Sequence, residues 1–189
     1  MPSSLDQTVV IRKLRTGESD LYRDFLLSLD AETRRSRFCG GVSDAYLGQH
    51  AQRVFSSGAL LYGCFQDGRL RGAAELHAAA PGEPAEAAFV VSPDVQHHGI
   101  GTALLDAVVL AARNRNHPVI RVTCLRSNEA MQRLAQKADA RLVLSYDEAA
   151  GEIHAPRPTA LSWLREAFVD TLDTVIYTMR WPLKETQTA

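Results

Sequence analysis

The stretch from Ala87 to Leu110, AAFVVSPDVQHHGIGTALLDAVVL, decides the fold. A β-prone apolar run ends at Val91, Pro93 marks a turn, and Thr102 opens a periodic apolar pattern, so the order is strand, loop, helix. Between them, Gln96-His97-His98-Gly99-Ile100-Gly101 carries two glycines, which tolerate the backbone angles needed when main chain approaches a ligand closely. The first peptide N–H groups of a helix have no partner inside it, and its dipole is positive there. The loop is therefore predicted to hold an anion, above all a phosphate.

Upstream, residues 59–65 and 69–78 flank Gln66-Asp67-Gly68, and Asp-Gly is hairpin chemistry. Pro81-Gly82-Glu83-Pro84 then breaks the chain before a strand over 85–91, giving an antiparallel meander of three strands. Downstream, a helix over 102–114 presents Leu104, Leu105, Val108, Val109 and Ala112 on one face. A strand over 118–125 follows, and Ser127 is predicted to cap a helix over 128–137. Strand, helix, strand implies parallel pairing of 85–91 with 118–125. Residues 141–147 and 151–155 are predicted to form a last hairpin.

At the start, TVVIRKL over 8–14 reads as a strand, and the apolar spacing predicts one amphipathic helix over 19–30. The polar run from Arg34 to Gly41 is predicted as a loop, with Ser43 and Asp44 opening a second helix to about Ser56. Past residue 155, Pro156-Arg157-Pro158-Thr159 resets the chain. Leu161, Leu164, Phe168, Leu172 and Val175 recur at helical spacing, a stripe for packing against the core or against a second copy in a homodimer. A helix is expected over about 159–173, while 174–181 fits either a strand or the continuing helix. The chain thus divides into a domain over 1–155 and a C-terminal extension over 156–189. Its class is α/β in the α+β sense, with a mixed, mainly antiparallel sheet, one parallel pair and flanking helices.

Composition narrows the chemistry. With 189 residues and 46% hydrophobic content the chain builds one sizeable core. A net charge of -1 and a pI near 6.6 give no electrostatic reason to expect nucleic acid or an anionic membrane as partner. Cys39, Cys64 and Cys124 lie far apart without a CxxC pair, so neither a metal site nor a disulfide framework is expected. The start, MPSSLDQTVVIRKLR, lacks a basic segment followed by a long apolar run, and no apolar run approaches membrane-spanning length. A cytoplasmic location is the expectation.

A Walker loop needs Gly-Lys-Ser/Thr after its glycines and a dinucleotide fingerprint needs GxGxxG after the first strand; neither occurs here. The pattern present is V-x-P-x-x-Q-x-x-G-x-G from Val91 to Gly101. It resembles the GNAT superfamily of acyl-CoA N-acyltransferases, whose acyl-CoA loop reads Q/R-x-x-G-x-G/A between strand and helix. The resemblance spans residues 8 to about 155 and includes the order of elements. SNEAMQRLAQKADA resembles the family's second motif, and Arg34 to Gly40 resembles the R-x-R-F-f segment of relatives of bacterial protein-lysine acetyltransferases. The resemblance implies a GNAT-like fold and acetyl-CoA as cosubstrate. Val90 and Val91 would lend backbone groups to the pantetheine arm. Gln96, His98, Gly99, Ile100, Gly101 and Thr102 would surround the pyrophosphate, and Asn128 would contact the cosubstrate near its arm. His97 stands where many relatives have glycine, and His98 replaces a frequent arginine. Ala135 stands where many relatives carry a tyrosine that protonates the leaving thiolate, which leaves Tyr146 or water for that role.

Acyl transfer to an amine needs a base for the amine proton and donors for the developing oxyanion. Glu86, a few residues before the loop, is the first candidate base, where family enzymes often place a catalytic glutamate. Glu75 is the second, and strand alternation puts His77 on its face. Cys124 would permit an acyl-cysteine route, but within VIRVTCL a small buried thiol is the better reading. Arg34, Arg35 and Arg37 suit a 3′-phosphate, an acidic acceptor or a solvated face equally well. Two functions follow from the sequence. One is N-acetyl transfer to a primary amine, on a small molecule or a protein lysine; the other is a non-catalytic acyl-CoA-binding module of the same fold.

Overall fold

A computed structural model describes residues 6–80, 82–171 and 175–180, with side chains described for 9–80 and 82–167. The chain runs β1 (Asp6–Lys13), α1 (Ser19–Ser28), α2 (Ala31–Phe38), α3 (Asp44–Ser56), β2 (Leu60–Gln66), β3 (Arg69–His77) and β4 (Ala85–Val91). It continues through α4 (Ile100–Asn114), β5 (Val119–Leu125), α5 (Glu129–Lys137), β6 (Arg141–Leu144), β7 (Glu148–His154), α6 (Ala160–Thr171) and β8 (Val175–Arg180). The strands form one sheet in the order β6-β7-β5-β4-β3-β2-β1-β8. Every neighbouring pair is antiparallel except β4 and β5. The predicted meander and parallel pair are both present. At the first hairpin Asp67 and Gly68 have φ of 51° and 73°, the left-handed pair that a two-residue turn of matching twist requires.

Strand alternation sorts the core into two layers. One face carries Leu61, Ala73 and Val90, packed under α1 and α3 through Tyr22, Leu26, Leu47 and Val54. The other carries Tyr62, Ala74, Leu76, Ile120 and Val122, packed under α4 through Ile100, Leu104 and Val108. Each fully buried leucine or isoleucine contributes about 1.5–3 kcal/mol relative to exposure. The sheet is thus fixed from both sides. Gly63 marks the tightest spot of the first layer. A Cβ there would stand 2.3 Å from Leu14 Cδ1, 2.7 Å from Leu70 Cδ1 and 2.9 Å from Phe65 Cε2. Gly63→Ala is expected to cost about 1–3 kcal/mol by overpacking, seen as a lower urea midpoint with an unchanged slope.

The structure corrects the sequence reading in two places. The run predicted as a loop from Arg34 to Gly41 is helical as far as Phe38. Asp30 caps this helix by accepting from the Thr33 N–H at 2.7 Å, and Cys39 ends it with φ 53°. The break from α1 falls at Leu29, which is extended. α2 lacks an apolar period because its inward side chain is Arg37, so hydrophobic spacing could not reveal it.

The second correction concerns packing of the stripe past residue 155 against the core, one of its two expected roles; the other, a face toward a second copy, stays a proposal. Leu161 and Leu164 are 75% and 57% exposed, while Ser162 and Glu166 point inward. Asn114, 2% exposed at the end of α4, explains the rotation. Its Nδ2 donates to Ser162 O and to Glu166 Oε2, and Ser162 Oγ donates to its Oδ1. A buried amide must be satisfied, and that requirement outweighs the apolar period. The side chains of Phe168, Leu172 and Val175 lie outside the described set. The segment over 174–181, open to either reading from sequence, is a strand over 175–180 paired with β1.

Candidate active site

β4 and β5 pair only at Ala85 with Ile120, Glu86 with Arg121 and Ala87 with Val122. Beyond Ala87 they part, so the β5-side edge of β4 from Ala88 to Val91, Val90 and Val91 included, has no strand partner. The chain leaves this open edge through a 3-10 turn at Pro93–Val95. Gln96 Nε2 then donates to Val91 O at 3.0 Å, tying the loop back to the end of the strand. His97 sits at φ 65° and Gly99 at φ 84°. The glycine suits its angle; the histidine accepts the left-handed region at a cost of about 1–2 kcal/mol.

Gly99 is the N-cap of α4, and the first helical bond runs from Ala103 N to Gly99 O at 3.0 Å. The N–H groups of Ile100, Gly101 and Thr102 therefore have no acceptor within the helix. Beside Gly101 the nearest neighbour for an added Cβ is Leu134 of α5, at 3.5 Å, so the second helix stands next to the loop. Asn128 caps that helix, accepting from the Met131 N–H at 3.0 Å. The loop, the α4 N-terminus and the Leu134 side of α5 thus lie together. Gly99→Ala is expected to disturb the loop by about 1–2 kcal/mol. Loss of coenzyme A affinity, measured by calorimetry, should exceed the loss of thermal stability.

Glu86 is exposed and lies directly opposite His77 in the β3–β4 register, while Ala88 lies opposite Glu75. All four side chains share the face that carries α1, α2 and α3. The two glutamates have opposite surroundings. Glu75 is 1% exposed, and its Oε1 accepts from Tyr22 Oη and faces His50 Nε2 at 2.9 Å. Its Oε2 faces His77 Nε2 at 2.7 Å. Arg37 Nη2 approaches Oε1 to 2.6 Å as an ion pair, although Arg37 Nε and Nη2 make no aligned hydrogen bond.

Burial pushes the Glu75 carboxyl up, but the Arg37 guanidinium and the hydrogen bonds from His50 and His77 more than reverse this, holding it well below the usual carboxylate range. Burial and the Glu75 charge push Tyr22 well above its ordinary value, so its hydroxyl stays a donor. Sequence reasoning passed over Tyr22 and His50, and offered Arg37 a 3′-phosphate, an acidic acceptor or a solvated face instead of the buried Glu75. The available signal was the carboxylate itself, since Glu75 inside the apolar run GAAELHA has to find partners.

The remaining candidates are scattered. Tyr146 is 90% exposed in the turn between β6 and β7, and Ala135 is buried inside α5. Arg34 is occupied, donating to Leu27 O, Leu29 O and Asp44. The arginine cluster is therefore not one solvated face, because Arg37 points inward and pairs with Glu75. Burial pushes the thiols of Cys39 and Cys124 up, and that of Cys64 up to about 12. Protonated thiols are poor nucleophiles, in keeping with Cys124 as a core residue. Among the described residues no group of three or more His, Cys, Asp or Glu is placed to hold a metal ion, and no helix is long and apolar enough to cross a membrane.

A family model described as the acetyltransferase (GNAT) family matches residues 24–139. No curated protein matches the sequence. Among solved structures, the GNAT domain of S. lividans PAT is 19% identical with a TM-score of 0.65, covering 76% of this chain and 89% of that one. yncA, a putative acetyltransferase from Salmonella typhimurium with its cofactor acetyl-CoA, is 16% identical with a TM-score of 0.59, covering 80% and 96%. An acetyltransferase from Salmonella typhimurium that modifies the N-terminal serine of the 50S subunit protein L7/L12 is 17% identical with a TM-score of 0.64, covering 79% and 96%. At these identities the likeness carries the fold.

Proposed function

The chain belongs to the GNAT acetyltransferase family, and from that premise we propose that it transfers an acetyl group from acetyl-CoA to a primary amine, with Glu86 as general base. The observation that carries this reading is the parting of β4 from β5 directly before a loop whose helix offers unpartnered N–H groups. An open strand edge suits the amides of a pantetheine arm, and the α4 N-terminus suits a pyrophosphate. When bound, acetyl-CoA supplies the thioester carbonyl as acyl donor. Val90 and Val91 offer main-chain groups along the open edge. Gly99, Ile100, Gly101 and Thr102 offer N–H groups to the phosphates, with His98 beside them, and Gln96 holds the loop against Val91. Asn128 caps the start of α5 and is assigned a contact near the arm.

Glu86 is assigned the amine proton because it is an exposed carboxylate four positions before Val90, where the open edge begins to carry the arm. Glu75 is assigned a positioning role. Its depressed pKa and filled coordination leave no capacity to accept a proton near neutrality, but it fixes His77, His50 and Arg37 on the same face. Tyr146 or water returns a proton to the leaving thiolate. The acceptor is a small molecule or a protein lysine.

One observation favours a second reading. Ala135 offers no hydroxyl where the resemblance expects one, and Tyr146 is out in solvent, as a module that binds acyl-CoA without turnover would allow. Thiol release from acetyl-CoA across a panel of primary amines and lysine peptides separates the two. Turnover on any acceptor supports transfer; tight acetyl-CoA binding with turnover on none supports the module.

A further inference from the structure

A cavity of about 130 Å³ is lined by His50, Arg53, Val54, Ser57 and His77, on the sheet face that also carries Glu86. The geometry points to this cavity as the acceptor subsite, built for an amine that also bears a carboxylate, such as an amino acid or an ω-amino acid. The inference rests on the transfer reading above, since Glu86 opposite His77 would receive the amine end.

The argument is one of charge. Glu75 is the carboxylate behind the cavity, and its single charge is already matched by Arg37. It engages His50 and His77 through their Nε2 atoms, so both rings are oriented by the same buried group. Arg53, on the exposed side of α3, lies over the Tyr46 ring at 5.7 Å and has no carboxylate partner among the described residues. Its permanently charged planar fork matches a carboxylate in two-point geometry. Val54 supplies an apolar wall for a short carbon chain. The opposing charge on this face is Glu86, which repels a carboxylate and attracts an ammonium group. An acceptor carrying both ends is therefore oriented with its carboxylate toward Arg53 and its amine toward Glu86.

The test uses Arg53→Gln, a surface substitution outside the proposed catalytic and cosubstrate-binding groups. Rates of thiol release are compared for glycine, β-alanine, 4-aminobutyrate and glutamate against their carboxamides. The wild type is expected to prefer at least one carboxylate over its carboxamide by about ten- to a hundredfold in kcat/KM, mainly through KM, as for one charge-assisted contact. Arg53→Gln should abolish that preference, lowering the rates for the carboxylates far more than those for the carboxamides. An unaltered preference in the variant, or carboxamides favoured by the wild type, overturns the inference. A second readout needs no turnover: the ring signals of His50 and His77 in NMR spectra are followed as the same amino acids are added. Saturable shifts that weaken in Arg53→Gln support the subsite, and rings that do not respond overturn it. If no amine is acetylated yet the shifts appear, the transfer reading fails while the carboxylate site stands.

Discussion

Glu86→Gln is expected to lower kcat/KM for amine acceptors by about 10²–10⁴-fold, the range over which a positioned general base contributes. The substitution keeps the shape and length of the side chain and removes only the capacity to take a proton. Glu86 is exposed and forms no ion pair among the described residues, so the melting temperature should not move. Acetyl-CoA affinity should also be unchanged, because the groups assigned to the pyrophosphate and arm lie beyond Ala87. Activity equal to the wild type would remove Glu86 as base.

Removing the other glutamate has its largest effect on stability. Glu75→Ala leaves Arg37 buried, at 8% side-chain exposure, with its compensating charge gone. Breaking a buried pair from one side costs about 3–5 kcal/mol, a large share of the roughly 5–15 kcal/mol that holds a domain of this size. Chemical denaturation should show a sharply reduced midpoint, and part of the expressed protein should be unfolded. Replacing both partners, Arg37→Met with Glu75→Leu, is expected to recover much of the loss, because the unpaired charge and its desolvation disappear together. If the single and double variants lose equally, the pair is not what matters.

The same network sets a pH dependence. Glu75 has a folded-state pKa depressed below its unfolded value of about 4.3. Its contribution is therefore fully present above that unfolded value and is lost as pH falls through it toward the folded pKa. Unfolding free energy measured from pH 7 downward should decline in that acid window, and the decline should be smaller in the Arg37→Met, Glu75→Leu protein.

Legibility in the sequence followed the kind of interaction involved. The β2–β3 hairpin, the loop of Gln96 to Gly101, and α4 and α5 were readable because Asp-Gly, Gly-x-Gly and helical apolar spacing are local signals. Helix α2 was not, since its inward residue is a charged one whose partner lies 38 positions later in the chain, at Glu75. The same blindness hid the site's second half. Tyr22 and His50 fall in two separate predicted helices, and only folding brings their polar atoms to one carboxylate. α6 shows the converse. Its apolar period was visible, but Asn114 turned Ser162 and Glu166 inward instead.

By itself the sequence determined the order of elements apart from α2 and β8, the parallel β4–β5 pair and the Gly-x-Gly loop before α4, because short-range propensity and spacing encode backbone conformation. Only the tertiary structure decided how the two glutamates differ. Glu75 and Glu86 sit in similar apolar strands, yet one is buried against Arg37, His50, His77 and Tyr22 while the other faces solvent. Burial and charge partners come from residues distant in the chain, and it is those, not the residue type, that set whether a carboxylate holds a structure or is free to take a proton.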